Sequence, residues 1–114
     1  MNNSSLNNPF LIKSYSDENG SFYRVYSDGW CEQGGIYTSD SNARVINMNI
    51  PFANTLYDVV CIPTTAYPYS FSFYASGEGN PSKQNNKFSL ACSIGGAAGW
   101  NWIACGYVNL NEVL

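Results

Sequence analysis

FYRVYSDGWCEQGGIY, residues 22–37, decides the fold. FYRVY is β-branched and aromatic, the composition of a strand. Ser27-Asp28-Gly29 is a tight hairpin signal. WCEQGGIY then reads as the return strand. Its two-residue alternation sends Trp30, Glu32, Gly34 and Ile36 to one side and Cys31, Gln33, Gly35 and Tyr37 to the other. Gly34-Gly35 marks a β-bulge, with close packing of another chain as the alternative. Trp30 reads as a core or interface anchor, and Arg24 lies within pairing reach of Glu32 across the hairpin.

The same alternation recurs along the chain. In ARVINMNIPF, 43–52, Ile46, Met48, Ile50 and Phe52 face in while Asn47 and Asn49 face out, and Pro51 suits a strand end or an edge. LYDVVCI, 56–62, is apolar on both faces apart from Asp58 and reads as a central strand stopped by Pro63. YSFSFYA, KFSLACSI and WNWIACGYVNL, at 69–75, 87–94 and 100–110, complete the strand set. Between them lie turn-rich stretches at 14–21, 38–42 and 76–86. No segment keeps a helical apolar period over three turns. The expectation is an all-β, antiparallel β-sandwich of seven or eight short strands. Residues 1–12 read as a flexible polar lead and 13–114 as a single domain.

Composition narrows the function classes. Charged residues make up 11% of the 114, below the roughly 25% usual for soluble domains, while aromatics reach 16% with nine tyrosines. The net charge is −3 and the five basic residues are scattered, so no stripe neutralises nucleic-acid phosphates. No apolar run approaches the ~20 residues of a membrane span, and the first residues lack the order of a signal peptide, so synthesis in a cytoplasm is expected. The sequence holds no histidine, which removes Ser-His-Asp and Cys-His catalysis and histidine-ligated zinc. Four cysteines at 31, 61, 92 and 105 form no CxxC pair and fall in apolar strands, so free buried thiols are expected rather than a metal site or disulfides. EQGG and GGAAG lack the phosphate-loop patterns, and no cofactor is implied. Glycoside hydrolysis needs two facing carboxylates. Glu32 and Asp58 are the best candidates, but nothing in the sequence fixes them as a pair, and a non-catalytic protein is expected.

FYRVYSDGWCEQGG resembles the opening of a small C-terminal, knob-like domain of tailed-bacteriophage and prophage tail-fibre, or receptor-binding, proteins. Those domains run as a Tyr-rich strand, a Ser/Asp-Gly turn and Trp-x-Glu-Gln-Gly-Gly. A Pro-Phe segment follows, here Pro51-Phe52, and a Tyr-led strand, here Tyr57 to Ile62. They close on Trp-x-Ala-x-Gly-Tyr, here Trp102 to Tyr107. The likeness spans roughly residues 12–110. It implies a β-sandwich assembled as a homotrimer on an upstream fibre shaft, a virion component made in the bacterial cytoplasm and acting outside the cell. The implied partner is a bacterial surface glycan or protein receptor. Three copies also bury apolar surface that one copy cannot. Four cysteines are a departure from the pattern.

On that reading the structural positions are Ser27, Asp28, Gly29, Trp30, Gly34 and Gly35. Glycan contacts are expected on loops, from aromatic faces and amides. Tyr67 and Tyr69 flank Pro68, Trp100 and Asn101 follow GGAAG, and Asn85 and Asn86 offer hydrogen bonds. Tyr69 and Trp100 as core residues at strand ends are the competing assignment. The alternative functions are a structural trimerising or capping domain without receptor contact, and a glycan hydrolase.

Overall fold

The computed structural model describes residues 8–37, 43–63, 71–73, 83–92 and 100–114. Their strands are β1 (Leu11–Ser16), β2 (Phe22–Tyr26), β3 (Trp30–Tyr37), β4 (Ala43–Asn47), β5 (Asp58–Pro63), β6 (Phe71–Phe73), β7 (Lys87–Cys92) and β8 (Trp100–Tyr107), followed by a one-turn helix α1 (Leu110–Val113). Two antiparallel sheets form, one of five strands in the order β1-β2-β3-β8-β5 and one of three in the order β4-β7-β6. The chain is thus an all-β antiparallel sandwich, as its alternation implies.

The core lies between the sheets. Val25, Cys31, Trp100, Trp102 and Ala104 of the larger sheet meet Ile46, Phe88 and Leu90 of the smaller one, with Ile50, Phe52 and Tyr57 from the connection between β4 and β5. The Phe88 and Trp102 rings meet edge to face at 5.4 Å, and Phe52 stacks on Tyr57 at 4.6 Å. Burial of large apolar side chains of this kind contributes about 2–3 kcal/mol each.

The hairpin of β2 and β3 closes through a three-residue loop. Val25 faces Cys31, the Gly29 N–H donates to the Tyr26 carbonyl at 2.9 Å, and Gly29 takes φ 91°. This is the geometry of a turn followed by a left-handed glycine. The Asp28 carboxylate accepts from the Trp30 N–H at 3.0 Å. At the preceding corner, Asp17 accepts from the N–H groups of Asn19 and Ser21 at 2.9 and 3.1 Å. The Tyr15 hydroxyl donates to the same carboxylate, and these bonds hold Asp17 below the usual carboxylate range.

The structure corrects several expectations. β1 begins at Leu11, inside the stretch read as a flexible lead, and its last residues, Ser14 to Ser16, fall in a segment read as turn. Pairing with β2 makes this strand, and local propensity does not reveal a pairing. Among the described residues β5 is an edge strand, not a central one. Gly34 and Gly35 form no bulge, since the pairing of β3 with β8 runs unbroken from Trp30 to Tyr37. They admit close neighbours of the same chain instead. A Cβ on Gly34 would collide with the Trp102 carbonyl and come within 2.6 Å of the Phe22 ring, and one on Gly35 would meet the Trp102 indole at 3.1 Å. The 100–110 segment leaves the strand after Tyr107 and ends in α1, capped by Asn109, whose side chain accepts from the Asn111 N–H. One helical turn is too short to show a period.

Candidate functional site

Gln33 fixes the frame on which the outer surface is built. It sits between Cys31 and Gly35 on the inner face and is wholly buried. Its amide makes both bonds a strand neighbour would make with Ile50, donating to the carbonyl at 2.7 Å and accepting from the N–H at 2.9 Å. Nearby, the Asn49 amide donates to the carbonyls of Phe22 and Gly34. The connection after β4 is thereby pinned to β3. The inner parity of β3 is settled, so Trp30, Glu32 and Ile36 face outward.

Strand register then arranges the outer face of the five-stranded sheet in rows. Directly paired residues share a face. Tyr26, Trp30 and Tyr107 form the first row, and Arg24, Glu32, Cys105 and Asp58 the second. Phe22, Gly34, Ile103 and Val60 form the third, and Ile36, Asn101 and Ile62 the fourth. One half of the face is therefore aromatic and charged, and the other aliphatic. Val60, Ile36, Ile62 and Ile103 are 56%, 52%, 49% and 36% exposed, so the aliphatic half lies bare in the single chain. A contiguous apolar patch of this kind marks a contact surface.

The aromatic half is concave. The Trp30 ring meets Tyr107 edge-on at 5.2 Å and separates two open clefts. One, of about 280 Å³, is lined by Pro9, Tyr26, Asp28, Trp30 and Glu32. The other, of about 290 Å³, is lined by Trp30, Asn54, Leu56, Asp58, Cys105, Gly106 and Tyr107. Among the described residues, no basic side chain lines either. Arg24 and Glu32 are opposite each other in the register, but the Arg24 guanidinium lies over the Phe22 ring at 5.4 Å and no ion pair joins it to Glu32.

The cysteines of this region are thiols. Cys31, Cys61 and Cys105 are in no disulfide, and the Cys92 side chain lies outside the described residues. Burial pushes the Cys31 thiol up to about 12, with smaller contributions from Cys105 and Glu32. Burial also raises Cys105, helped by the carboxylates of Glu32 and Asp58 on either side. Cys105 is thus a neutral, weakly polar floor between two acids. No group of metal-ligating side chains occurs among the described residues.

The loop residues expected to hold a glycan fare differently. Trp100 is fully buried and packs at 5.4 Å, tilted, against Tyr37, so it belongs to the core. Asn101 sits in the aliphatic half of the sheet rather than on a loop, and its Oδ1 is buried with no hydrogen-bond partner among the described residues. Asn85 and Asn86 are exposed, and their carbonyls receive the N–H groups of Phe52 and Met48. Tyr67 and Tyr69 lie outside the described residues. Trp30, read as a core or interface anchor, is half-buried on the outer face. Glu32 and Asp58 do come together on one face, two strands apart, at about 10 Å between backbones.

The fold defined by these sheets is found in tail fibres. The C-terminal portion of the P. aeruginosa R2 pyocin fibre matches with a TM-score of 0.63 at 18% identity, over 91% of this chain and 28% of that one. An N-truncated R2-type pyocin tail fibre matches with a TM-score of 0.60 at 20% identity, over 91% of this chain and 41% of that one. The chain therefore spans less than half of either fibre fragment. No protein-family model and no curated protein matches the sequence.

Proposed function

We propose that this chain is a distal tail-fibre domain that recognises the bacterial surface, without catalysis, through the aromatic and acidic half of the outer sheet. The observation that carries the proposal is Trp30 standing between two clefts rimmed by Tyr26, Tyr107 and three carboxylates. Aromatic faces pack against the C–H surfaces of sugars, and carboxylates accept from their hydroxyls. The tail-fibre setting rests on the shared fold and on the resemblance of the 22–35 and 102–107 segments. The bare aliphatic half supports assembly as a homotrimer, with Val60, Ile62, Ile103 and Ile36 at the subunit contact.

The test is binding to immobilised bacterial polysaccharides, lipopolysaccharide and capsule among them. Binding of the native protein and its loss in Trp30→Ala are expected, because Trp30 is half-buried and its removal leaves the core intact. Undiminished binding by Trp30→Ala refutes the site.

A second reading has one observation in its favour. Glu32 and Asp58 share a face two strands apart, with Cys105 between them, as a pair of facing carboxylates would. Asp58 is exposed and Glu32 half-exposed, whereas a general acid works from a site withdrawn from water. Release of reducing ends from a polysaccharide, abolished by Glu32→Gln, would establish this reading.

A further inference from the structure

The charge around Trp30 narrows the ligand. Among the described residues, the two clefts together hold Asp28, Glu32 and Asp58 and no lysine or arginine. Asp28 lies beside Trp30 on the turn, Glu32 stands next along the same face of β3, and Asp58 stands beyond Cys105 on β5. The basic groups nearest in the fold are engaged elsewhere. Arg24 lies over Phe22, and the Lys13 ammonium donates to the Val113 carbonyl at 2.6 Å. An anionic sugar entering here meets three carboxylates, and the only cation in the row of Glu32 and Asp58, Arg24, is turned away over Phe22. A protonated amine meets three carboxylates and the faces of Trp30, Tyr26 and Tyr107, and an aromatic face attracts a cation, Trp most strongly. Cys105 is held as a neutral thiol and adds no competing charge to the floor.

We propose that the Trp30 clefts bind a glycan bearing a free, positively charged amino group, and discriminate against its N-acetylated and its acidic counterparts. The inference rests on the surface-recognition reading above and names the ligand class of the same site. Acetylation removes the charge that the carboxylates and aromatic faces attract. A carboxylate or phosphate substituent reverses the sign of the attraction. Only the sugar's ammonium and hydroxyls engage the protein, and no bond is made or broken.

The experiment is titration calorimetry at about pH 6, where a sugar amine is protonated, with the glucosamine tetramer, the N-acetylglucosamine tetramer and the galacturonate tetramer as probes. The expected result is binding of the free-amine tetramer at least ten-fold tighter than the acetylated one, with no binding of the acidic one. Asp58→Asn and Glu32→Gln should each narrow the difference, and so should added salt. Trp30→Ala, which changes no charge, should abolish binding of the free-amine tetramer. Equal affinity for the first two probes overturns the inference, as does failure of the free-amine tetramer to bind. Equal binding of tetralysine, or binding retained in Trp30→Ala, reduces the effect to the attraction of an acidic protein for any polycation and also overturns it. If the native protein still binds bacterial polysaccharides through Trp30 in those cases, the recognition reading stands and the amine preference alone falls. If it binds none of them, both fall.

Discussion

Gln33→Glu converts the buried pin of the sandwich into a pH-dependent one. The side chain keeps its length and shape. When protonated, a carboxyl at this position donates to the Ile50 carbonyl and accepts from the Ile50 N–H, as the amide does at 2.7 and 2.9 Å. When ionised, it loses the donor, sets a charged oxygen against a carbonyl oxygen and leaves that charge wholly buried. The folded-state pKa is therefore raised above the unfolded value of about 4.3. A raised acid contributes stability that is complete below the unfolded pKa and lost as pH climbs towards the folded one. Each pH unit in that window costs about 1.4 kcal/mol, which accumulates to about 4 kcal/mol at pH 7. That is a large part of the 5–15 kcal/mol typical of a domain. Urea unfolding followed by tryptophan fluorescence, native beside variant, between about pH 4 and pH 7.5, measures the difference. A near-native variant at the acid end that weakens steadily with pH is expected. A constant offset across the range would refute the pinning role of Gln33 and the burial that goes with it.

Further predictions address packing, ionisation and assembly. Gly34→Ala drives a methyl group into the Trp102 carbonyl and the Phe22 ring, and a loss of about 3 kcal/mol is expected by urea denaturation, because backbone cannot step aside as a flexible side chain does. With the Cys31 thiol and the Tyr57 hydroxyl both pushed up to about 12 by burial, the unfolded chain loses their protons first. Stability therefore falls as pH rises from about 9 towards 12, and alkaline thermal melts check this. In the same protein, Cys31 should resist alkylation at about pH 8 until urea exposes it. Val60→Lys places a charge in the aliphatic half of the outer sheet, and light scattering is expected to show the native protein at three times the chain mass and the variant at one.

The strands and turn of the 22–37 hairpin were legible because their signals are local, a β-branched strand, a Ser-Asp-Gly turn and a return strand, whereas the bulge expected at Gly34-Gly35 was not there because those glycines answer to neighbours across the sheet. The inward set of Ile46, Ile50 and Phe52 was legible for the same reason, as alternation survives even where β4 has ended at Asn47. The edge position of β5 was not. Val60 and Ile62 look like buried residues, and only the strand order, a non-local property, leaves them bare. For Trp100 the core assignment prevailed over the ligand one, and Trp30 left the core for the outer face, because parity sorts a strand into two faces without saying which is the core. Trp100 went inside with Trp102 and Ala104, and Trp30 went outside with Glu32. Gln33 offered one usable signal, a polar residue in phase with Cys31 and Gly35. Its partner Ile50 is seventeen residues away, beyond the reach of any local pattern.

Binding of the fluorescently labelled protein to intact cells from a panel of bacterial strains, native beside Trp30→Ala, tests the central claim most directly. Saturable binding to some strains by the native protein, lost in Trp30→Ala at unchanged melting temperature, is the predicted result. Equal binding by the two proteins, or no saturable binding by the native assembly to any strain, would contradict the assignment of the Trp30 face to the bacterial surface.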